Sequence, residues 1–128
     1  MENFFASLAD LPLYEAEAPF ERRMKVVFDD PESNLPFSVG QFIFEPGQSG
    51  PAHAHETEIE IYIVLSGKGT ITFNNEESYP LTPEHMIYVP PKTLHETVNT
   101  GDEQLVFYGV FVSPVDLNGM VKNLRKVS

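Results

Sequence analysis

The chain of 128 residues has the size of one domain, and 41% of its residues are hydrophobic, including ten Phe and five Tyr. This apolar content can form a core without disulfides, and the lack of cysteine excludes thiol nucleophiles, Cys-type zinc sites and iron–sulfur clusters. The formal net charge of -11 argues against nucleic acid and anionic membranes as partners, because both bind through clustered Lys and Arg.

The predicted elements are short strands. Residues 1–24 lack a clear period and predict an arm or edge strand, followed by a first strand at 25–28 and a loop at 29–36. From residue 37 to 112, short apolar segments alternate with turn residues and leave almost no room for a crossover helix. We therefore expect one all-β sandwich or barrel over 25–114 rather than a parallel α/β fold.

The two ends of the chain add two further expectations. Apolar residues recur at three- and four-residue spacing in the tail, which predicts a short helix within 115–128; they are Leu117, Met120, Val121, Leu124 and Val127. The N-terminus has no basic stretch followed by a long apolar run, and no segment is long enough to span a bilayer. A cytoplasmic protein is the expectation from this pattern.

Candidate metal ligands cluster around the start of one strand. His53 and His55 are two residues apart, so on an extended strand both imidazoles project from one face. Glu60 is at an odd offset from them, so a turn or bulge within residues 56–59 is needed if all three side chains are to converge. A carboxylate buried in a strand is costly without a cation, which makes Glu60 a candidate ligand.

His95 is the fourth candidate, because it follows a Pro-rich turn at the head of a later strand. Three imidazoles and one carboxylate suit a divalent transition metal, namely Mn, Fe, Ni, Co, Cu or Zn. In an octahedral ion, four protein ligands leave two positions for a substrate or O₂. His85 lies beside Glu84 in a turn and is expected to be a surface histidine.

Residues 47–67 resemble the first motif of the cupin superfamily. Gly47 precedes the pair His53 and His55, Glu60 follows after four intervening residues, and Gly67 follows after six more. Every fixed position of that motif is present. The resemblance extends over about residues 37–112 and is that of a small, single-domain cupin.

Residues 84–99 are similar to the second cupin motif, but less completely. Pro90, His95 and Asn99 stand at the family's positions, whereas Glu84 and Lys92 replace its two glycines. Those glycines shape turns and ligate nothing. The replacements therefore concern the loop geometry around residues 84 and 92 more than a metal site.

The resemblance implies a double-stranded β-helix, or jelly-roll barrel, with a metal bound by His53, His55, Glu60 and His95 in its interior, and commonly a homodimer. The arm, with its apolar residues between 3 and 14, is expected to pair across the two-fold axis of that dimer. Tyr62 lies on the same strand face as Glu60, so its hydroxyl is a candidate catalytic group, with barrel lining as the alternative. The pattern around Tyr62 resembles that of cupin lyases acting on dimethylsulfoniopropionate, in which the equivalent tyrosine is the base.

Two classes of function remain open from the sequence. The first is a metal-dependent enzyme acting on a small polar or anionic metabolite, as a dioxygenase, an isomerase or epimerase, or a lyase. The second is a non-enzymatic protein that binds or senses a small ligand through the metal. A purely structural ion is disfavoured, because structural zinc sites are usually rich in Cys.

Overall fold

The computed structural model describes residues 5–29 and 35–128. The first residues of the arm and most of the loop expected at 29–36 lie outside these ranges. Within them the chain forms ten β-strands, one short α-helix and a single turn of 3-10 helix at Leu8–Asp10. No helix in these ranges is long and apolar enough to cross a membrane.

The strands form two antiparallel sheets, which confirms the all-β prediction. The strands of the larger sheet are β1 (Tyr14–Glu15), β2 (Arg23–Phe28), β3 (Ser38–Phe44), β4 (Ile59–Ser66), β7 (Met86–Val89), β9 (Leu105–Val112) and β10 (Arg125–Lys126). Their order in the sheet is β10-β1-β2-β3-β9-β4-β7. The smaller sheet has the order β6-β5-β8, with β5 (Gly69–Phe73), β6 (Glu77–Leu81) and β8 (His95–Val98).

Alternation along the central strands decides which side chains enter the barrel. On β9, Leu105, Phe107, Gly109 and Phe111 are buried, whereas the alternate residues Val106, Tyr108 and Val110 are more exposed. On β4 the inward face carries Glu60, Tyr62 and Val64, and the isoleucine face of that strand points outward. The core between the sheets therefore has a polar, titratable end that begins at Glu60.

Strand β6 was not predicted; it contains Pro80, and four of its five residues are exposed. It lies at an edge of the smaller sheet, where proline does not remove a required hydrogen bond. The turn before β6 has positive φ at both Asn74 and Asn75, with the Glu76 N–H donating to the Phe73 carbonyl at 2.9 Å. This geometry is that of a type I′ hairpin turn, which matches the twist of the flanking strands.

The C-terminal helix is confirmed but is shorter than the apolar spacing predicted. Helix α1 covers Leu117–Val121, and the chain then forms β10, which pairs with β1 of the arm. Gly119 and Asn118 are weak helix formers, and pairing with β1 satisfies the backbone that follows. Arg125 of β10 also forms an ion pair with Glu15 of β1.

The two replaced motif glycines behave differently. Lys92 adopts the left-handed conformation, with φ of 60°, and its N–H donates to the His55 carbonyl at 2.6 Å. Glu84 is not among the residues with positive φ. The second motif therefore keeps its turn at Lys92 at the cost of an unfavourable backbone conformation for a residue with a Cβ.

Candidate metal centre

His53, His55, Glu60 and His95 come together at one end of the barrel. Each offers one ligand atom, and the four atoms lie within 4.8 Å of one another. His53 and His55 precede β4, Glu60 is the second residue of β4, and His95 is the first residue of β8. The structure thus brings together the four predicted ligands from three separate stretches of sequence.

Backbone pairing brings the two motifs together. The His53 N–H donates to the His95 carbonyl at 3.0 Å, and the His95 N–H donates to the His53 carbonyl at 2.9 Å. The chain then bends at residues 56–57 before β4 begins at Ile59. The bend lies where the odd offset between His55 and Glu60 predicts one.

Backbone carbonyls orient two of the imidazoles. The Nδ1–H of His53 donates to the Pro51 carbonyl at 2.9 Å, and the Nδ1–H of His95 donates to the Thr93 carbonyl at 3.0 Å. A carbonyl can only accept, so these bonds place the proton on Nδ1 and leave Nε2 free as a ligand atom. Outer partners of this kind are usual for metal-bound histidines.

The Nε2 atom of His95 is the most informative atom of the cluster. It is buried and has no hydrogen-bond partner among the described residues, and it lies 3.4 Å from Oε1 of Glu60. Nε2 of His55 lies 3.2 Å from the same carboxylate oxygen. A buried nitrogen left unpaired is costly, and a cation between these atoms would satisfy it, so the residues fit a divalent metal.

The charges of the cluster depend on one another. Burial raises the pKa of Glu60, but the hydrogen bond with His55 and the nearby imidazole of His95 outweigh it and hold that pKa below its usual value. Burial lowers the pKa of His95, but Glu60 and the Thr93 carbonyl outweigh it and raise that pKa above its usual value. For His53, burial and repulsion from the other imidazoles lower the pKa despite its bond to Pro51.

A missing side chain makes room for the carboxylate. Gly109 on β9 is paired with Tyr62 on β4, and a Cβ added to Gly109 would lie 2.6 Å from Oε2 of Glu60. Sequence reasoning did not identify this residue. A glycine inside an apolar strand indicates a close approach by another group, and that signal was present in the sequence.

Tyr62 lines a cavity of about 160 Å³ that also contains His53, His55 and Glu60. Its hydroxyl is hydrogen-bonded to Oγ1 of Thr97 at 2.8 Å, and its ring stacks on Phe107 with centroids 4.8 Å apart. Burial and the nearby Glu60 charge raise the pKa of Tyr62 well above its usual value. The phenol is therefore protonated near neutral pH, in the absence of a bound cation.

Arg22 is a second residue of the cavity wall that sequence reasoning missed. It directly precedes β2 and is two residues before the buried Met24, so the two side chains share the inward face of an extended chain. The signal available in the sequence was the two-residue spacing between Arg22 and the apolar Met24, which places both side chains on one face of an extended chain.

His85, by contrast, is exposed and forms a hydrogen bond with Thr82 outside the cluster of candidate ligands, as predicted.

Asn99 has a structural role. Its side chain is buried, donates to the Phe44 and Glu103 carbonyls at 2.8 Å each, and accepts from the Gly101 N–H at 2.9 Å. All of these bonds are made to the backbone of neighbouring segments. The residue closes the turn after β8 and takes no part in the cluster of candidate ligands.

Comparisons with known proteins agree with the fold. A family model described as "Cupin domain" matches residues 40–112. The chain is 38% identical over 81 residues to a glucose-6-phosphate isomerase of Pyrococcus horikoshii, which covers 59% of this chain and 41% of that protein. The chain thus spans less than half the length of that relative.

Two solved structures are similar over most of the chain. A predicted oxalate decarboxylase from Thermotoga maritima superposes with a TM-score of 0.78 at 21% identity, covering 86% of this chain and 99% of that one. A Cupin 2 conserved barrel domain protein from Salinispora arenicola superposes with a TM-score of 0.65 at 27% identity, covering 95% and 93%. The first similarity concerns the fold alone.

Proposed function

The chain belongs to the Cupin domain family, and from that premise we propose that it is a metal-dependent enzyme that isomerises a small anionic metabolite carrying adjacent hydroxyl and carbonyl groups. The observation that carries the proposal is the convergence of four ligand atoms within 4.8 Å, one of them the buried, unpaired Nε2 of His95. A fold stabilised by its apolar core alone does not need this arrangement.

In this proposal His53, His55, Glu60 and His95 hold a divalent transition metal, one of Mn, Fe, Ni, Co, Cu or Zn. Such a cation supplies Lewis-acid polarisation of a carbonyl or hydroxyl oxygen. His53 is the exposed member of the set and Glu60 and His95 are buried, so the open side of the site faces the exposed histidine. A substrate would reach the site from that side.

Isomerisation is favoured over dioxygenation and elimination by the similarity to archaeal glucose-6-phosphate isomerases. The cavity of about 160 Å³ is smaller than the roughly 300–1,000 Å³ of typical ligand pockets, which favours a small metabolite. Tyr62 is proposed as the catalytic residue beside the metal. Because burial keeps its phenol protonated, Tyr62 would donate a proton or a hydrogen bond to the substrate. A bound cation would lower the pKa of this phenol, opposing the effect of burial.

The test combines metal analysis with a proton-exchange assay. Protein loaded with each metal in turn is incubated in D₂O with fructose 6-phosphate or dihydroxyacetone phosphate, and deuterium at the carbon beside the carbonyl is followed by NMR. Exchange is expected with at least one metal. His95→Ala and Glu60→Ala should lose both the bound ion and the exchange, whereas His85→Ala should keep both.

Four outcomes would contradict the proposal. Consumption of O₂ without deuterium exchange would assign an oxygenase, and release of an unsaturated product would assign a lyase. A ligand that copurifies unchanged from metal-loaded protein, with no turnover of any probe, would assign the binding or sensing function instead. Loss of the ion in His85→Ala would contradict the assignment of the ligands.

A further inference from the structure

We propose that Arg22 binds an anionic group of the substrate, a carboxylate or a phosphate, inside the cavity that contains the candidate ligands. The inference rests on the function proposed above and adds the chemical class of the molecule that enters. Among the described residues that line this cavity, Arg22 contributes the only Lys or Arg side chain. The anion would therefore be recognised there by the guanidinium.

The pairing of the three arginines sets Arg22 apart. Arg23 and Arg125 both form ion pairs with Glu15 on the β1 side of the sheet. Within residues 5–29 and 35–128, Arg22 forms no ion pair, and its guanidinium makes one hydrogen bond, from Nη1 to the Phe20 carbonyl at 2.7 Å. A guanidinium has five N–H donors, so most of the donors of Arg22 remain available.

The surroundings of Arg22 favour an anion. The side chain is half-buried, and burial lowers the pKa of the guanidinium, so the positive charge has lost part of its hydration. Four phenylalanines account for much of the remaining wall; they are Phe42, Phe44, Phe107 and Phe111. A partly desolvated cation in an apolar wall gains more from a carboxylate or phosphate than the same cation in water.

Two contacts hold the side chain in place. Nη1 of Arg22 donates a hydrogen bond to the Phe20 carbonyl. The side chain also passes over Gly50, where an added Cβ would lie 3.4 Å from Nε of Arg22. Gly50 itself is held against β8 by its N–H, which donates to the Thr97 carbonyl at 3.1 Å. The guanidinium is thus positioned before a substrate arrives, which reduces the entropy lost on binding.

The test uses chelating probes that differ only by an anionic group. Acetohydroxamate is the neutral probe, succinic monohydroxamate adds a carboxylate, and phosphonoacetohydroxamate adds a phosphonate. Their dissociation constants are measured calorimetrically on the metal-loaded full chain. The better anionic probe is expected to bind at least about tenfold more tightly than acetohydroxamate, because a hydrogen bond to a charged group contributes about this much binding free energy. The stronger of the two anionic probes identifies carboxylate or phosphate as the preferred group.

The variants separate the role of Arg22 from other effects. Arg22→Gln should abolish the preference for anionic probes and leave acetohydroxamate binding unchanged, whereas Arg22→Lys should keep part of the preference. Arg23→Gln, next in sequence but paired with Glu15, is the control and should behave like the unmodified chain. An unchanged preference in Arg22→Gln, or no preference in the unmodified chain, would overturn the inference.

The same design distinguishes failure of the inference from failure of the proposed function. If acetohydroxamate does not bind to the chain under any metal condition, the metal-dependent function fails. Anion binding is then measured with inorganic phosphate by NMR titration of the same protein. Binding that is lost in Arg22→Gln would still support the inference, and no binding by the unmodified chain would reject it.

Discussion

Substitution of Gly109 by alanine tests whether the space beside Glu60 is required for metal binding. The new Cβ would lie 2.6 Å from Oε2 of Glu60, and ordinary contact begins near 3.4 Å, so the carboxylate must move by about 0.8 Å. Metal–ligand distances tolerate only about 0.2 Å. We therefore expect metal affinity to fall roughly 10- to 100-fold, the range seen when groups that orient ligands are altered.

Gly40 provides a matched control because it is paired with Gly109 across β3 and β9. An added Cβ at either glycine would lie 3.0 Å from the ring of Phe42, but only the one at Gly109 would contact Glu60. Both variants should lose stability by about 1–3 kcal/mol through overpacking. Only Gly109→Ala should lose metal affinity in addition to this shared loss of stability.

The assay is competition for the metal against a chromophoric chelator, with thermal unfolding of the metal-free proteins measured in parallel. Metal affinity in Gly109→Ala equal to that of the unmodified chain would refute the argument that this glycine makes room for the ligand. An equal loss in Gly40→Ala would show that a general repacking of the barrel, rather than the position of Glu60, is responsible.

Three further predictions concern stability, catalysis and assembly. Lys92→Gly should raise the free energy of unfolding by up to about 1 kcal/mol in denaturant melts, because glycine adopts the left-handed backbone conformation without strain. Glu84→Gly should lower the free energy of unfolding, because Glu84 has no positive φ. A lower free energy of unfolding in Lys92→Gly would contradict this reasoning. Tyr62→Phe should abolish turnover with metal content unchanged, whereas Thr97→Val, which removes the hydrogen-bond partner of the phenol, should mainly lower stability. Equal activity of Tyr62→Phe and the unmodified chain would make this tyrosine barrel lining. Light scattering should find a homodimer that dissociates when residues 1–12 are removed, and a monomer for the full chain at micromolar concentration would exclude the interface proposed for the arm.

The sequence by itself determined most strands of the barrel, though not β6 or β10, and the set of candidate ligands. Strands in this fold are short and regularly punctuated by turn residues, so their local pattern was sufficient. The spacing of His53, His55 and Glu60 required a bend that the structure contains at residues 56–57. The tail showed the limit of such patterns, because its apolar spacing continues to Val127 but the helix ends at Val121.

Only the tertiary structure decided what surrounds those ligands. Nothing local in the sequence links His95 to Glu60, or Gly109 to the carboxylate across the sheet. The inward position of Arg22 beside the same cavity depends equally on contacts between distant segments. Spacing along one strand fixes which side chains share a face. Which of those side chains meet in the cavity depends on how the two sheets pack, because burial and pairing arise only in the packed barrel.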